Sequence, residues 1–524
     1  MFPLPEVIDN EVRARLNHRK PRSFLVAAEP QHFDVLIVGA GLSGIGAAWH
    51  LQKRLPGKSY AIFEGRSAIG GTWDLFRYPG VRSDSDMFTL GYRFKPWTKA
   101  RALADGPSIR NYVAETAREH GIDKKIRFNT RVTDIAWSSR DARWTVTAVA
   151  DGRTIKATCS FLWMCSGYYR YESGHEPAFP GVEKFKGLFL HPQKWPEGLD
   201  YAGKRVVVIG SGATAITIVP SMAEKAAHVT MLQRSPTYVM SLGRAQAIAN
   251  FVSSHLPKKA AYRVMRAYSV PFQMWFYRHA RKRPEKVKEF ILGEARAKLP
   301  AGYDVGKHFT PRYNPWDERL CFMDDDDLFK VIASGKASVE TDEIETFTER
   351  GIRLKSGKEL DADIVVSATG ITLQLLGGAK ASVDGAPVDV GKTLTYRGMM
   401  FSGVPNLVSV FGYLNASWTL RADLISDYVC RLLRHMDRNG FASVTPTPDA
   451  AALAHPEPFS DFTSGYMKRA LDVLPKQADG PWRHPQNFYA DFFGMKFGKI
   501  DDGALKFAKA PAAGAQAPQL AAAE

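Results

Sequence analysis

A strand–glycine turn–helix pattern that occurs twice is the feature of this chain that most constrains its fold. The first copy, FDVLIVGAGLSGIGAAWHLQKRL, spans residues 33–55, and the second, KRVVVIGSGATAITIVPSMAEKA, spans residues 204–226. Each begins with an apolar run, turns at glycines and continues as a helix, as a dinucleotide-binding βα unit does. The copies lie too far apart for a solenoid repeat. The sequence therefore predicts an α/β fold with two Rossmann-like dinucleotide-binding domains.

The first glycine fingerprint predicts an FAD site. Gly39 permits the tight turn, Gly41 lets the backbone approach a pyrophosphate, and Gly44 allows the helix to pack closely on the strand. Ser43 lies in the first turn of that helix, whose free N–H groups and dipole favour phosphate. The next apolar run, SYAIFEGR, brings Glu64 to the distance at which an acid bonds a ribose hydroxyl.

The second fingerprint predicts an NADPH site, because the strand that follows it does not end in an acid. The strand that follows it, HVTMLQRS, ends in Gln233-Arg234-Ser235. An acid there would bond the 2′-hydroxyl of NADH, whereas Arg234 can pair with the 2′-phosphate of NADPH. The alternative for Arg234 is a solvated surface side chain. The predicted NADPH contacts are Gly210, Gly212, Ala213, Thr214, Arg234 and Ser235.

Composition narrows the class of protein without identifying a partner. The 524 residues carry a net charge of +16, which favours anionic partners such as a phosphorylated cofactor or an acidic membrane face. No metal-ligand spacing, RNA-binding aromatic motif or long basic arm is present, so no metal and no nucleic acid are predicted. The N-terminus has no apolar signal region and no run is long enough to span a bilayer, so we expect a cytoplasmic protein. The oligomeric state stays open.

Two dinucleotide sites in one chain imply hydride transfer from a nicotinamide to a flavin. The electron acceptor beyond the flavin must be inferred from other residues. Cys159 and Cys165 lie in an apolar run and lack the CxxC spacing of a redox pair, so we interpret them as buried structural cysteines. This interpretation argues against a disulfide reductase and leaves O2 as the acceptor.

A twelve-residue segment just before the second fingerprint carries a family resemblance. FKGLFLHPQKWP, residues 185–196, resembles the FxGxxxHxxxWP fingerprint of the Baeyer–Villiger flavin monooxygenases and matches it at every specified residue type. These matching residues are Phe185, Gly187, His191, Trp195 and Pro196. The related flavin-containing monooxygenases usually end this motif without Trp-Pro. The resemblance implies a gating role for His191 in domain arrangement, not proton transfer.

The resemblance extends from about residue 34 to about residue 507. Within the family it is closest to the subgroup of ethionamide-activating and long-chain-ketone monooxygenases. The segments that carry it are GGTWDLFRYPGVRSDSDM, KHFTPRYNPWDERLCF, FGYLNASWTLRADL and LPKQADGPWR.

The resemblance also implies roles for individual residues. Gly71, Thr72 and Trp73 match a loop that covers the flavin. Asp84 matches a carboxylate kept beside the flavin, and Arg319 matches the active-site arginine that Asp84 would orient. Glu318 departs from the family, since some relatives have a lysine there that helps to hold the 2′-phosphate. That departure leaves Arg234 with more of the expected NADPH preference.

The implied reaction converts an apolar ketone to an ester with NADPH and O2. The resemblance implies that a deprotonated C4a-peroxyflavin attacks the carbonyl. Arg319 would stabilise this anion, because an arginine does so without losing its own proton. The alternative for Arg319 is a structural ion pair. One rival function is oxygenation of sulfide, amine or thioamide heteroatoms on the same fold. Another is a membrane-associated flavoprotein without turnover, which two intact fingerprints disfavour.

The expected domain organisation follows from these motifs. Residues 1–31 form an N-terminal arm, 32–160 and 380–507 a discontinuous FAD-binding domain, and 161–379 the NADPH-binding domain. A helical insert spans 245–300, and residues 508–524 are expected to be disordered. The basic, aromatic stretch 262–283 either lies on a membrane surface or covers the substrate cavity. We favour the second interpretation because Pro271 should interrupt the helix.

Overall fold

The computed structural model describes residues 30–99, 101–318 and 320–510, without the side chain of Arg244. Arg319, most of the predicted N-terminal arm and most of the predicted disordered tail therefore lie outside the described residues. The described chain is a mixed α/β structure built on a nine-stranded and a five-stranded sheet, both of which contain parallel strands. The α/β fold class predicted from the two fingerprints is confirmed.

The strands of the described residues are numbered in chain order. They are β1 Gln31–Val38, β2 Tyr60–Phe63, β3 Ile126–Arg127, β4 Thr130–Ser138, β5 Arg143–Ala150, β6 Arg153–Met164, β7 Leu188–Leu190, β8 Arg205–Ile209, β9 His228–Gln233, β10 Val239–Ser241, β11 Cys321–Met323, β12 Ala337–Thr341, β13 Ile344–Thr348, β14 Gly351–Leu354, β15 Glu359–Asp361, β16 Ile364–Ser367, β17 Lys380–Val383, β18 Ala386–Pro387, β19 Thr395–Tyr396, β20 Met400–Phe401, β21 Leu407–Ser409, β22 Phe441–Pro446 and β23 Leu505–Lys509.

The α-helices are numbered in the same way. They are α1 Leu42–Arg54, α2 Thr72–Leu75, α3 Met87–Leu90, α4 Gly106–Glu119, α5 Ala213–Met222, α6 Gly243–His255, α7 Lys258–Lys282, α8 Pro284–Lys298, α9 Val305–Phe309, α10 Asp327–Ala333, α11 Trp418–Asn439, α12 Ala450–Ala454, α13 Gly465–Lys468 and α14 Phe488–Phe497.

The larger sheet contains the first fingerprint. Its strand order is β18-β17-β4-β5-β6-β1-β2-β3, with β21 also paired to β6. Strands β6, β1 and β2 are adjacent and parallel, so their carboxyl ends meet at one edge. Helix α1 runs from that edge and is buried along most of its length between the sheet and α11. Burial on both faces explains why β1 and β2 are nearly continuous apolar runs.

The second sheet contains the second fingerprint. Its order is β12-β9-β8-β16-β7, and all of its strands are parallel. Helix α5 follows β8 and buries its apolar residues against the sheet, together with α8 and α10. The carboxyl ends of β7, β16 and β8 therefore also meet at one edge. In open parallel sheets such an edge is where ligands bind.

Several element ends differ from the predicted domain boundaries. β6 continues to Met164, four residues beyond the predicted end of the first segment at 160. β1 begins at Gln31, which the sequence analysis placed in the arm, because this residue pairs with Ala157. β23 extends to Lys509 by pairing with β22, so residues 508 and 509 are not part of a disordered tail.

The predicted interruption at Pro271 is wrong. Helix α7 is continuous over 25 residues, with Pro271 in its interior. Pro271 and Ala267 are both exposed, so the carbonyl oxygen that loses its N–H partner faces solvent. The buried side chains Val270 and Met274 hold the helix in place on either side of the proline. None of the helices in the described part of the chain combines the length and apolarity needed to cross a bilayer.

Candidate active site

One cavity of about 660 Å³ is lined by loops from both the larger sheet and the second sheet. Its wall includes the loops after β1, β2 and β6 of the larger sheet, and the loops after β8 and β16 of the second sheet. The predicted residues that line it are Gly39, Gly41, Ser43, Glu64, Gly71, Thr72, Trp73, Asp84, Gly212, Ala213 and Thr214. Residues predicted from two distant motifs therefore share one cavity.

The first fingerprint has the geometry that its glycines predict. Gly39 has φ +105°, and a β-carbon there would lie 2.6 Å from the carbonyl oxygen of Cys165. Gly44 does not line the cavity, and a β-carbon on it would overlap the carbonyl oxygen of Gly39. Helix α1 begins after Gly41 without a side-chain cap, so its first-turn N–H groups are left for another acceptor. The hydroxyl of Ser43 accepts a hydrogen bond from the Trp418 indole at 2.8 Å.

Glu64 is held at the cavity wall by the backbone. One carboxylate oxygen accepts the N–H of Ala40 at 2.7 Å, and the other accepts the N–H of Arg66 at 2.8 Å. Burial raises the pKa of the Glu64 carboxyl, and the two backbone bonds oppose that shift. Each oxygen retains a second lone pair, so the carboxylate can still accept bonds from ligand hydroxyls.

The loop at Gly71–Trp73 packs against the first fingerprint. Gly71 has φ +57°, and a β-carbon on it would lie 3.1 Å from the α-carbon of Gly41. The side chains of Thr72 and Trp73 lie at the cavity wall and are half-buried. The Tyr171 hydroxyl forms a hydrogen bond with Thr72, while burial raises the pKa of this phenol to about 12.

An acid that the sequence analysis missed anchors this loop. Asp74 is buried and pairs with Arg66 at 2.7 Å, Arg77 at 2.5 Å and Arg110 at 3.5 Å. Three partners within 4 Å compensate the charge that burial would otherwise leave unsolvated. The sequence holds no signal for this cluster beyond Arg77 at i+3, since Arg110 comes from a separate helix.

The second fingerprint leaves more open space at its second glycine than the first fingerprint does. Gly210 has φ +134°, and a β-carbon there would overlap the carbonyl oxygen of Ala368. Gly212 has no heavy atom within 4 Å of a β-carbon position, and helix α5 begins after it without a side-chain cap. The Ser211 hydroxyl donates to the carbonyl of Ser235 at 3.0 Å, which ties the glycine turn to the end of β9.

Arg234 does not line the cavity with the fingerprint. Its side chain is exposed at the end of β9, and Ser235 beside it is exposed as well. Glu318 does line the cavity, where burial raises the pKa of its carboxyl while the charges of Lys468 and Arg234 oppose the shift. Arg234 is thus close enough to Glu318 to interact with it electrostatically at the cavity rim.

Asp84 lies in the cavity wall beside a buried phenol. Burial raises the pKa of Tyr78, and the charge of Asp84 raises it further, while a hydrogen bond with Thr214 opposes the shift. Tyr78 therefore stays protonated at neutral pH. The neighbouring Arg82 forms an ion pair with Asp327 at 2.5 Å. This pair joins the Asp84 segment to helix α10 of the second sheet.

The twelve-residue fingerprint lies behind the cavity wall. His191 follows β7 directly, is buried, and its Nδ1 accepts the N–H of Gln193 at 3.2 Å. Its Nε2 therefore carries the proton and donates to the carbonyl of Gly370 at 3.3 Å. Gly370 lines the cavity. Burial lowers the pKa of His191, so the ring is neutral at neutral pH.

The other fingerprint residues have packing roles. Phe185 packs edge-on against Phe347, and a β-carbon on Gly187 would overlap the Phe185 ring. Trp195 is half-buried against the core of the second sheet, and Pro196 is exposed. None of these four residues lines the cavity.

Gln193 is a further residue that the sequence analysis missed. Its amide nitrogen donates to the carbonyls of Arg170 and Tyr171, both at 2.8 Å. These carbonyls belong to the connection between β6 of the larger sheet and β7 of the second sheet. Gln193 stands at an unspecified position of the fingerprint, so the motif gives no signal for it.

Aromatic side chains form another part of the cavity wall. Tyr168 stacks on Trp418 with ring centres 5.1 Å apart, and Tyr169 lies against Tyr168. Cys165 also lines the cavity, and burial raises the pKa of its thiol and of the Cys159 thiol. Both cysteines are free and buried, in agreement with their interpretation as structural residues.

Comparison with known proteins places the chain in a family. A family model for flavin-binding monooxygenase-like proteins matches residues 103–280, and one for an NAD(P)-binding Rossmann-like domain matches residues 37–103. The FAD-containing monooxygenase EthA of Mycolicibacterium smegmatis is 55% identical over 485 residues, which cover 92% of this chain and 98% of that protein. The probable FAD-binding monooxygenase AlmA of Acinetobacter baylyi is 50% identical over 483 residues, which cover 91% and 97% of the two chains.

Solved structures agree on the fold. An oxidised steroid monooxygenase bound to NADP superposes with a TM-score of 0.72 at 23% identity, over 91% of this chain and 100% of the other. Cyclohexanone monooxygenase from Rhodococcus sp. Phi1, bound to NADP⁺, gives a TM-score of 0.68 at 19% identity, over 92% and 100%. The predicted family resemblance is confirmed by the relatives of high identity: the chain belongs to the FAD-containing, flavin-binding monooxygenases.

Proposed function

We propose that this monooxygenase uses NADPH and O2 to convert apolar ketones to esters. The observation that carries the proposal is that two uncapped helix N-termini, at Gly41 and Gly212, open onto one cavity. Each offers free N–H groups and a positive dipole end to a pyrophosphate. Two dinucleotides bound there would approach each other within the same cavity, as hydride transfer requires.

The residues of the larger sheet fit FAD. The turn at Gly39–Gly41 and helix α1 would hold the pyrophosphate, and Glu64 would accept hydrogen bonds from ribose hydroxyls. The loop at Gly71–Trp73 packs against that turn and would cover the ring system. Asp74 and its three arginine partners keep the loop in position.

The residues of the second sheet fit NADPH. Gly212 leaves open space, and the N–H groups of Ala213 and Thr214 begin helix α5 at the cavity wall. Arg234 and Ser235, exposed at the end of β9, would receive the 2′-phosphate. Arg234 would have to turn toward the cavity, and its charge already acts on Glu318 at the rim.

The side chains near the reacting atoms have complementary roles. FAD, once reduced by NADPH, supplies the activation of O2. We propose that Arg319, which lies outside the described residues, provides a fixed positive charge and that Asp84 orients it. Tyr78 stays protonated beside Asp84 and can donate a hydrogen bond into the cavity. A ketone carbonyl would lie between these polar groups and the aromatic wall.

The ketone class follows from the fingerprint and from the aromatic wall. The intact Trp195-Pro196 ending distinguishes the Baeyer–Villiger fingerprint from that of heteroatom oxygenases. The wall formed by Tyr168, Tyr169 and Trp418 presents apolar surface that excludes water and binds a hydrocarbon chain. The same wall accepts an apolar sulfide, so sulfoxidation is the second candidate activity.

The test is product analysis with a matched pair of arginine variants. FAD-loaded protein is incubated with NADPH and a long-chain methyl ketone, and the products are identified by gas chromatography–mass spectrometry. We expect an ester, and we expect it to disappear in Arg319→Ala while flavin reduction by NADPH persists. Arg312→Ala changes an exposed arginine of the same segment and should leave the ester yield unchanged.

Two outcomes would contradict the proposal. NADPH consumption that yields only hydrogen peroxide from ketones, with sulfoxide formed from a sulfide, would assign heteroatom oxygenation instead. Ester formation that survives in Arg319→Ala would remove the proposed role of that arginine.

A further inference from the structure

Helix α7 exposes a row of large apolar side chains on one face. Val264, Tyr268, Phe272 and Trp275 are each at least 40% exposed. Their spacing of four, four and three residues aligns them along the helix. Tyr268 stacks on Phe272, whose ring centre lies 5.9 Å from that of Trp275. The row is therefore a continuous apolar surface and not a set of isolated side chains.

A second row on α14 extends this surface. Tyr489, Phe493 and Phe497 are 39%, 61% and 64% exposed and are spaced four residues apart. The two helices are adjacent, because the N–H of Phe488 lies 3.5 Å from the sulfur of Met274 and because Trp275 and Tyr489 border one surface depression. We call these two rows, Val264, Tyr268, Phe272, Trp275, Tyr489, Phe493 and Phe497, the aromatic face.

Positive charge surrounds the aromatic face. The 25 residues of α7 contain seven lysines and arginines and no aspartate or glutamate. Arg278 and Lys282 are exposed and border the same depression as Trp275, and Arg283 follows them. On α14, the ammonium group of Lys496 lies 5.8 Å from the centre of the Phe497 ring. The apolar surface is thus bordered by cations at both helices.

We infer that the aromatic face docks on an anionic lipid surface. Tryptophan and tyrosine favour the boundary between acyl chains and headgroups, and lysine and arginine near that boundary are attracted to anionic lipids. A second copy of the chain is disfavoured as the occupant. A two-fold contact through this face would bring Arg278, Lys282 and Lys496 of each copy against like charges.

Helix α7 lies between the aromatic face and the apolar cluster beside the cavity. On another side of α7, Phe276 and Tyr277 pack on the apolar cluster that includes the cavity-lining Tyr168, Leu414 and Trp418. A single helix therefore separates the aromatic face from that cluster. Apolar ketones partition into bilayers, so an enzyme docked there would meet them at high local concentration. This step rests on the proposed function, whereas the docking itself does not.

The test is sedimentation of the FAD-loaded protein with vesicles. We expect binding to phosphatidylcholine vesicles that contain about one-third phosphatidylglycerol, weaker binding to pure phosphatidylcholine, and release by salt. The triple variant Tyr268→Ser, Phe272→Ser, Trp275→Ser should lose binding by about tenfold or more. The control, Leu453→Ser with Val473→Ser, changes exposed apolar residues outside the aromatic face and should bind as the parent does.

Further measurements separate the outcomes. Thermal unfolding and bound FAD should be the same in the triple variant and the parent, which shows that lost binding does not come from misfolding. Arg278→Gln with Lys282→Gln should remove the preference for anionic vesicles. Absence of vesicle binding in the parent, or equal binding by the triple variant, overturns the inference. Self-association in sedimentation velocity that the triple variant abolishes, without vesicle binding, would assign the face to a second copy instead.

Discussion

Gly212 is the position where cofactor binding can be separated from folding. Its φ of −79° suits any residue, and a β-carbon on it would meet no heavy atom within 4 Å. Gly212→Ala therefore creates no clash within the protein. The substitution should lower the free energy of unfolding by at most about 1 kcal/mol, because glycine is preferred over alanine at a helix N-cap.

The cost to NADPH binding should be much larger. Gly212 lines the cavity, so the added methyl group would occupy the space that the pyrophosphate needs. The phosphates should lie about 2.9 Å from the backbone nitrogens at the start of α5. If the methyl group displaces the pyrophosphate and breaks one or two of its hydrogen bonds, the binding free energy weakens by about 3 kcal/mol. The dissociation constant of NADPH then rises about a hundredfold.

Anaerobic rapid mixing measures this effect directly. The NADPH concentration that gives half-maximal flavin reduction should rise about a hundredfold in Gly212→Ala, with FAD content unchanged. Gly293→Ala is the matched control, because Gly293 is exposed on α8 and its β-carbon position is also free of neighbours. If the NADPH dependence is unchanged in Gly212→Ala, the assignment of this turn to NADPH is refuted. The assignment is also refuted if the variant loses bound FAD while its affinity for NADPH stays the same.

Three further predictions concern single polar side chains. Burial lowers the pKa of His50, but Asp423 and Asp427 outweigh that effect and raise it. The charged imidazolium therefore stabilises the folded protein below the ordinary pKa of about 6.5, and this stabilisation is lost as the pH rises through the raised pKa. The melting temperature should fall over that pH range in the parent and not in His50→Gln. Glu318→Gln removes a negative charge beside the predicted phosphate site and should lower the KM for NADPH about threefold, with the KM for NADH unchanged. His191→Ala should slow flavin reduction about tenfold or more in rapid mixing while FAD stays bound, because the connection to the cavity wall is lost.

The fold was predictable where one local constraint decides the backbone. Gly39 and Gly210 take values of φ that L side chains rarely adopt, and each faces a carbonyl oxygen of a neighbouring strand end. Such a turn needs glycine at one position of a short motif, so the motif appears in the sequence. The fold class inferred from it is confirmed, and so is the family inferred from the segment 185–196. The roles assigned to individual cavity residues stay predictions.

The remaining features depend on contacts between distant parts of the chain. Asp74 is anchored by Arg110 from a separate helix, and Arg234 stands outside the cavity wall although the motif places it beside the phosphate. Helix α7 tolerates Pro271 because Val270 and Met274 are buried on the rest of the protein. Propensity and spacing carry no information on such packing, which is why the helix was expected to break.

His191 shows how a residue outside the cavity can control it. Strands β7, β16 and β8 are adjacent and parallel, so His191, Gly370 and Gly210 all follow strand ends at one edge of the second sheet. The N–H of Gln193 fixes the ring tautomer, and the opposite nitrogen donates to the Gly370 carbonyl. Burial disfavours the charged ring, which makes His191 a poor proton donor at neutral pH. These facts favour positioning over acid–base catalysis: His191 ties the fingerprint to a cavity wall, and a movement of one would displace the other.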